Sequence, residues 1–477
     1  MKGLGLNKIA FLSMTTLMLV GSGYASARNR SVLLFSVRNF SEAANRFCTS
    51  HPGCRMIEEK TQEFSNGDTF VRVQTNLTGK RVGILIPDEM TPQMFMEALI
   101  KIRTARTLGA REIVAFLNTS ISKIRVTTAN GSLALPVESL IGIAGATKFV
   151  ENGNHPRTIR IRRVWPGRHH LTHSFILQDS HDSIARDMGR VLNLPVYNPG
   201  SLPRGAVKGA QIIFVRPVVI PKSETFFAAL ARVAQMTRDG AAVTWVTPLP
   251  WARSDKADQK GVTVIGRLIA DLIESVGTEA IEFARAHAPQ SQGFFDIPSF
   301  NVLGLNTLCA YLRNADVEMI VSPDTGFQKD ATLYADMLKL PVAVANKQRD
   351  PLTAQTKFYG FSGPSPAGKV VAIVDDETST GGTLADVADY LKKAGATKVI
   401  AVVTHLAGDG GKALNSASID QLVVTDSYPV SNAVVKQNSK LVIVPIGEEL
   451  GRAVEDLIVK PHDKSAGDCQ AILKGSQ

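Results

Sequence analysis

Cysteine is scarce in this chain. Its 477 residues hold four, Cys48, Cys54, Cys309 and Cys469, and no C-x-x-C pair. That excludes a zinc ribbon and a disulfide-scaffold miniprotein. Cys48 and Cys54 flank the turn-like His51-Pro52-Gly53, and either a small disulfide loop or two free thiols suits them. Charged residues reach only 20% against 44% hydrophobic, which excludes a disordered or collagen-like chain. Beyond residue 27 no apolar run is long enough to span a bilayer, so a polytopic membrane protein is excluded. No Lys/Arg-rich run resembles a nucleic-acid tail, and no G-x-x-x-x-G-K-S/T phosphate loop occurs.

The charge that is present is modestly positive, 53 Lys+Arg against 43 Asp+Glu. Phosphorylated metabolites, anionic surfaces, nucleic acid and plain solubility are all compatible with it. The densest basic cluster, Arg157, Arg160, Arg162, Arg163 and Arg168, lies between two periodic regions and reads as a solvated linker.

Residues 1–27 read as a secretory signal. Lys2 and Lys8 form the positive region, Ile9 to Val20 the apolar core, and Ala25-Ser26-Ala27 the small-residue cleavage site. The expected protein is then exported, periplasmic or secreted, with no stable membrane anchor after cleavage. An uncleaved anchor or a mis-assigned start is the alternative, the latter leaving a cytoplasmic protein.

The length contains a repeat. Ser31–Ser36 and Ser174–Asp179 each open a unit in which helices and apolar strands alternate. Phe95, Ala98, Leu99, Gly109 and Ala110 recur as Phe226, Ala229, Leu230, Gly240 and Ala241, each 131 positions later. In both units a Gly-Ala pair closes the helix, as Gly does after a last helical turn. A third unit follows the same order: strand Val370–Val374, helix Leu384–Lys393, Gly395-Ala396, strand Val399–Val403. Buried strands alternating with amphipathic helices imply parallel, doubly wound sheets. The expected lobes span 30–150, 170–302 and 303–460, with a loose tail over 461–477.

One segment carries the chemistry. Val370–Val374 is an apolar strand running into Asp375-Asp376-Glu377, then Thr378-Ser379-Thr380-Gly381-Gly382-Thr383, then a helix. Glycines let backbone N–H groups approach an anion, and a helix N-terminus adds partial positive charge. Paired carboxylates at a strand's C-terminal end suit the vicinal hydroxyls of a sugar, in the crevice where open α/β sheets bind ligands. The combination points to a sugar bearing a phosphate.

The segment resembles the phosphoribosyl-pyrophosphate loop of type I phosphoribosyltransferases and ribose-phosphate diphosphokinases, and further segments resemble the diphosphokinases. Pro248-Leu249-Pro250-Trp251-Ala252-Arg253-Ser254-Asp255-Lys256 is similar to P-Y-x-x-Y-A-R-Q-D-R/K. His287-Ala288-Pro289-Gln290-Ser291-Gln292-Gly293-Phe294-Phe295-Asp296 resembles H-A-x-Q-x-Q-G-F-F-D, and Val321-Ser322-Pro323-Asp324-Thr325-Gly326 resembles V-S-P-D-x-G. Lys347-Gln348-Arg349 is similar to the K-R-R of the catalytic loop, and Thr425-Asp426-Ser427 to a V-V-T-D-S/T strand. These segments span about 170–460. Phe64-Ser65-Asn66-Gly67-Asp68, in the first unit, resembles the F-x-D-G-E adenine loop.

The resemblance implies an α/β fold of tandem phosphoribosyltransferase-like lobes, each a mostly parallel sheet flanked by helices. It implies transfer of diphosphate from ATP, as co-substrate, to ribose 5-phosphate with Mg2+, in a protein for which a homo-oligomer is an expected form and nucleic acid is not an expected partner. Arg253 would contact the ATP phosphates, and Phe64, Asn66 and Asp68 the adenine. His287 and Asp324 would hold Mg2+, with His287 also counted among the catalytic residues. Lys347 and Arg349 would stabilise the transferring group. Asp375 and Asp376 would bind ribose hydroxyls, and Ser379, Thr380, Gly381, Gly382 and Thr383 the 5-phosphate. The chain departs from the pattern at several places: Arg285 replaces an Asp, Phe327 a Gly, Asp330 an Arg and Ser379 an Asp. The second unit has Tyr197-Asn198-Pro199-Gly200-Ser201 near the place of the adenine loop, and the first, which keeps a version of that loop, has Asn118-Thr119-Ser120 where the Y-A-R stretch would fall. Those departures leave a silent regulatory homologue as the alternative, and the sugar-phosphate loop alone would also allow a base phosphoribosyltransferase.

Overall fold

The computed structural model describes residues 32–35, 54–57, 59–63, 69–73, 75–87, 89–117, 124–128, 131–151, 157–159, 171–179, 182–218, 222–257, 262–349 and 356–455. The signal segment, Cys48, Cys469, the adenine-loop residues Phe64, Asn66 and Asp68, and the 461–477 tail lie outside the described residues. Among the described residues no helix is long and apolar enough to cross a membrane.

The chain is α/β, with mostly parallel sheets flanked by helices. The first sheet contains β1 (Val32–Phe35), β2 (Cys54–Met56), β3 (Arg81–Ile86), β4 (Glu112–Leu117), β5 (Lys148–Glu151) and β6 (Arg157–Thr158), in the order β2-β1-β3-β4-β5-β6. The second contains β7 (His173–Gln178), β8 (Val196–Tyr197), β9 (Ala210–Val215), β10 (Ala242–Thr247), β11 (Thr278–Ala284) and β12 (Ser299–Val302), in the order β8-β7-β9-β10-β11-β12. The two orders are the same, strand for strand. They differ at the edge, where β6 runs antiparallel to β5 while β12 runs parallel to β11. Because β6 belongs to the first sheet, that sheet extends past residue 150 and takes in Arg157 from the basic cluster, whose guanidinium sits over the Phe149 ring.

The third sheet has seven strands: β13 (Met319–Ser322), β14 (Val342–Arg349), β15 (Thr356–Ser362), β16 (Val370–Thr378), β17 (Lys398–Leu406), β18 (Gln421–Thr425) and β19 (Leu441–Val444). Their order is β15-β14-β13-β16-β17-β18-β19, all parallel except the β14–β15 pair. Strands such as β9 and β10 are buried along their whole length, as a parallel sheet covered on both faces requires.

The Gly-Ala closures share one geometry in all three units. Gly109, Gly240 and Gly395 have φ of 78°, 92° and 93°, a left-handed conformation that an L side chain resists. Each following alanine donates its N–H back into the helix, to Ala105, Met236 and Leu391 respectively. Each glycine carbonyl then accepts from the glycine that starts the preceding strand turn, Gly79, Gly209 or Gly368.

Helices α1 (Pro92–Thr107) and α2 (Val137–Ala144) cover one face of the first sheet. In the second unit α3 (Asp182–Leu192) lies on one face of the sheet, with α4 (Lys222–Arg238) and α5 (Ile265–Ser275) on the other. The first two units meet through equivalent helices. α1 packs on α4 and α5, α2 packs on α5, and a single hydrophobic core runs through both sheets. Phe95 of α1 contacts Phe227 of α4 with ring centroids 5.1 Å apart. Arg103 pairs with Asp271, and the Thr263 hydroxyl donates to Thr104 Oγ1 at 2.8 Å.

The third unit supplies α6 (Leu305–Arg313), α7 (Gln328–Leu338), α8 (Gly382–Lys393) and α9 (Gly447–Ala453). α9 crosses back onto α3 of the second unit. There Ile446 and Leu450 join Ile176, Ile184 and Ile213 in one apolar cluster. Gly447 lies so close to α3 that a Cβ would come within 2.7 Å of the Ile184 carbonyl oxygen. The Ser183 hydroxyl donates to Asp426 at 2.6 Å. This docking sets the C-terminal ends of the second and third sheets side by side.

Candidate active site

The site lies where strand β16 ends. The strand runs on past Val374 through Asp375, Asp376 and Glu377 to Thr378, so the carboxylates are held by a β ladder against β17. Its backbone then turns through Ser379 and Thr380 into Gly381, which has φ of 81° and caps α8. A second segment braces this turn from outside. The Ala407, Gly410 and Lys412 N–H groups donate to the carbonyls of Thr378, Ser379 and Thr380 at 2.8, 2.8 and 2.7 Å. A Cβ on Gly381 would sit 2.7 Å from the Ala413 amide nitrogen. Gly381→Ala is therefore expected to destabilise the protein by at least ~1–2 kcal/mol from the left-handed backbone alone. Calorimetry would read this as a lower melting temperature, and an unchanged melt would refute this account of the turn.

The second unit delivers two side chains to the same crevice. His287, just after β11, donates from Nδ1 to Asp376 Oδ2 at 2.6 Å. Arg253, in the turn after β10, pairs with Glu377. Burial works against ionisation of Asp376, but the His287 hydrogen bond and charge outweigh it and hold the carboxyl down at about 2. The same hydrogen bond raises His287 above its ordinary value of 6.5, against the opposing effect of burial. Asp375 reaches solvent with part of its surface. Its carboxyl is nevertheless raised, by desolvation first and then by the charges of Asp376 and Asp324.

Asp324 stands at the end of β13, and its Oδ1 accepts from the Gly326 and Phe327 amides at 2.9 and 3.2 Å. Lys347 and Arg349 lie at the outer end of β14, in register with Phe358 and Thr356 of β15. Thus His287, Arg253, Asp375 and Asp376 converge with the Ser379–Thr383 turn.

Three contributors carried no expected role. Glu377 pairs with Arg253, and its place beside two carboxylates on one strand was the available signal. Lys412 lies along the Ser379–Thr383 turn, its Nζ 3.8 Å from where a Gly382 Cβ would be. His405 is buried between the units. Its Nε2–H donates to the Arg285 carbonyl at 2.9 Å, so Nδ1 accepts from the Ser427 hydroxyl at 2.7 Å. Burial lowers its pKa and favours this neutral form.

Among the described residues no group of three or more His, Cys, Asp or Glu side chains converges as a metal site. The donors present suit a hard cation that takes most of its shell from phosphate and water. They are oxygen-rich, and the mutual repulsion of Asp375, Asp376 and Asp324 is what a cation there would relieve.

Comparison with known proteins gives concordant results. A model described as the N-terminal domain of ribose phosphate pyrophosphokinase matches residues 32–119, and a phosphoribosyl transferase domain model matches residues 311–430. The chain is 31% identical over 297 residues to ribose-phosphate pyrophosphokinase A of Dictyostelium discoideum, covering 58% of this chain and 92% of that protein. It is 32% identical over 263 residues to ribose-phosphate pyrophosphokinase 1 of Listeria monocytogenes, covering 53% of this chain and 82% of that protein. A crystal structure of phosphoribosylpyrophosphate synthetase from Mycobacterium smegmatis aligns over 60% of this chain and 98% of that one. The TM-score is 0.51 at 24% identity, a likeness of fold.

Proposed function

Because the chain belongs to the ribose-phosphate pyrophosphokinase family, we propose that it transfers the diphosphoryl group of ATP to ribose 5-phosphate, yielding phosphoribosyl pyrophosphate and AMP. The observation that carries this reading is the crevice at the end of β16. It sets a sugar-phosphate turn and two carboxylates of the third unit against His287 and Arg253 of the second.

In this reading the backbone amides of Ser379–Thr383 and the start of α8 receive the 5-phosphate. Asp375 and Asp376 accept hydrogen bonds from the ribose hydroxyls. Arg253 turns from Glu377 toward the ATP phosphates, and Phe64, Asn66 and Asp68 take the adenine. The ribose C1 oxygen forms a bond to the β-phosphorus as the bond from that phosphorus to the α-phosphate oxygen breaks. The C1 hydroxyl proton is released to solvent, and AMP carries away the bridging oxygen. Such a transfer depends on positioning and positive charge rather than covalent help, which is the role given to Lys347 and Arg349. Mg2+, held by Asp324, by His287 in the form with Nε2 unprotonated and by phosphate oxygens, would neutralise charge on the transferring group.

Arg285, Asp330 and the split adenine loop are the grounds for a homologue that binds without turnover. Arg285 and Asp330 pair with each other, so neither stands as an isolated disruption. The protein mixed with ATP, Mg2+ and ribose 5-phosphate should release AMP in proportion to the sugar consumed, followed by chromatography. No AMP, beside an active control enzyme, would refute the proposal.

A further inference from the structure

Three of the positions where the chain leaves the family pattern are brought into one contact. Arg285 is 3% exposed and forms an ion pair with Asp330, in the first turn of α7. Its guanidinium carbon stands 4.9 Å from the centroid of the Phe327 ring, which caps the same helix. Residues 285 and 330 come from different units and lie 45 positions apart. The resembled pattern carries an acid at 285 and a base at 330, and this chain carries them exchanged. The contact is therefore a pair with its polarity reversed, and Phe327 fills the place of a glycine against the arginine's flat face.

The location gives the pair its role. Arg285 precedes His287 by two residues and holds a φ of 41°, a strained value for a side-chain-bearing residue that the surroundings must enforce. Its backbone is fixed at both ends: the N–H donates to the Val302 carbonyl at 2.7 Å, and the carbonyl accepts from His405 at 2.9 Å. On the other side, Phe327 and Asp330 follow directly on the Asp324 turn. The pair thus joins the loop bearing His287, in the second unit, to the loop bearing Asp324, in the third.

We propose that Arg285, Phe327 and Asp330 form a positioning clamp that holds the His287 and Asp324 loops in register, so that groups on two different sheets act on one pair of bound substrates. This rests on the reaction proposed above. A clamp of this kind affects the alignment of substrates more than their individual binding, so its loss lowers kcat with little change in KM.

The test uses the full-length chain with the variants Arg285→Asp, Asp330→Arg, the double reversal, and Phe327→Gly. Each is followed by AMP release and by hydrogen–deuterium exchange of 285–288 and 324–328. Each single reversal is expected to lower kcat at least tenfold and to speed exchange in both loops, including the loop that was not altered. The double reversal is expected to restore both readouts to within about threefold of the parent. A double reversal no better than the worse single would overturn the clamp, as would exchange that changes only in the altered loop. If a single reversal fails to fold, Arg285→Lys and Arg285→Met take its place. The clamp then requires Lys to retain more kcat and more protection than Met, and equal loss in the two would overturn it. Absence of turnover in the parent would count against the proposed reaction, while the exchange pattern would still decide the clamp.

Discussion

In the proposed reaction, Asp376→Asn should reduce kcat/KM for ribose 5-phosphate by on the order of 10- to 100-fold, the worth of one charge-assisted hydrogen bond. It should also return the His287 titration downward toward its ordinary range. The carboxylate is nearly buried and its Oδ2 is the acceptor for His287 Nδ1, so the charge of one sustains the charge of the other. The linkage has a definite sign on each side. Asp376 is held at about 2 against an ordinary 3.8, so its stabilising effect is present above 3.8 and is lost as pH falls toward 2. His287 is raised above 6.5, so its effect is present below 6.5 and is lost as pH climbs through the raised value. The parent should therefore exceed the asparagine variant in stability mainly between these limits, measured by urea denaturation across pH. A His287 NMR titration identical in the two proteins would contradict the assignment.

Glu282→Gln should stabilise the protein at pH 7 by on the order of 1–3 kcal/mol, because a buried glutamate must bind a proton or stay charged out of water, whereas glutamine is neutral without either cost. Glu282 lies on β11, fully buried, and neither carboxylate oxygen meets a hydrogen-bond partner. It lies two residues from Ala284 and so on the same face of the strand, the one packed by Ile184 and Leu450. Desolvation raises its pKa well above 4.5. The folded state therefore keeps a proton that the unfolded chain loses, and stability falls as pH rises above 4.5 until the folded group also ionises. The glutamine variant has no such proton. Its advantage should be large at pH 7 and nearly absent at pH 4, by chemical denaturation. Equal stability gains at both values would show that the carboxyl's ionisation is not the cause.

The chemistry that was legible in the sequence is the chemistry that is local. Strand, carboxylates, glycines and helix at 370–393 follow one another within about two dozen residues, and each element is specified by its own residue types. The Gly-Ala closures were readable for the same reason, since a left-handed residue after a helix selects glycine wherever the chain next goes. The strand's continuation through Asp375–Thr378 was not, because a charged run looks like a loop until a neighbouring ladder is known to hold it. Contacts between units were equally hidden. Arg285 and Asp330 were visible only as two separate departures, and nothing along the chain announces that they touch. His405, Glu377 and Lys412 acquire meaning from loops folded onto the site from elsewhere. Glu282 sits in a short strand whose neighbours would fit a solvent-facing acid as well as a buried one.

The packing of α1 on its counterpart α4 has a consequence for how this chain can change. Two separate copies meeting across a twofold axis would repeat every contact, and any substitution would be felt twice. Here the two halves are joined by peptide bonds, so their encounter is intramolecular and does not weaken on dilution. They are also free to become unlike. Arg103 of α1 pairs with Asp271, whereas the residue 131 positions after Arg103 is Ala234, so this ionic contact is made once and not twice. Each half can thereby lose residues that the other keeps.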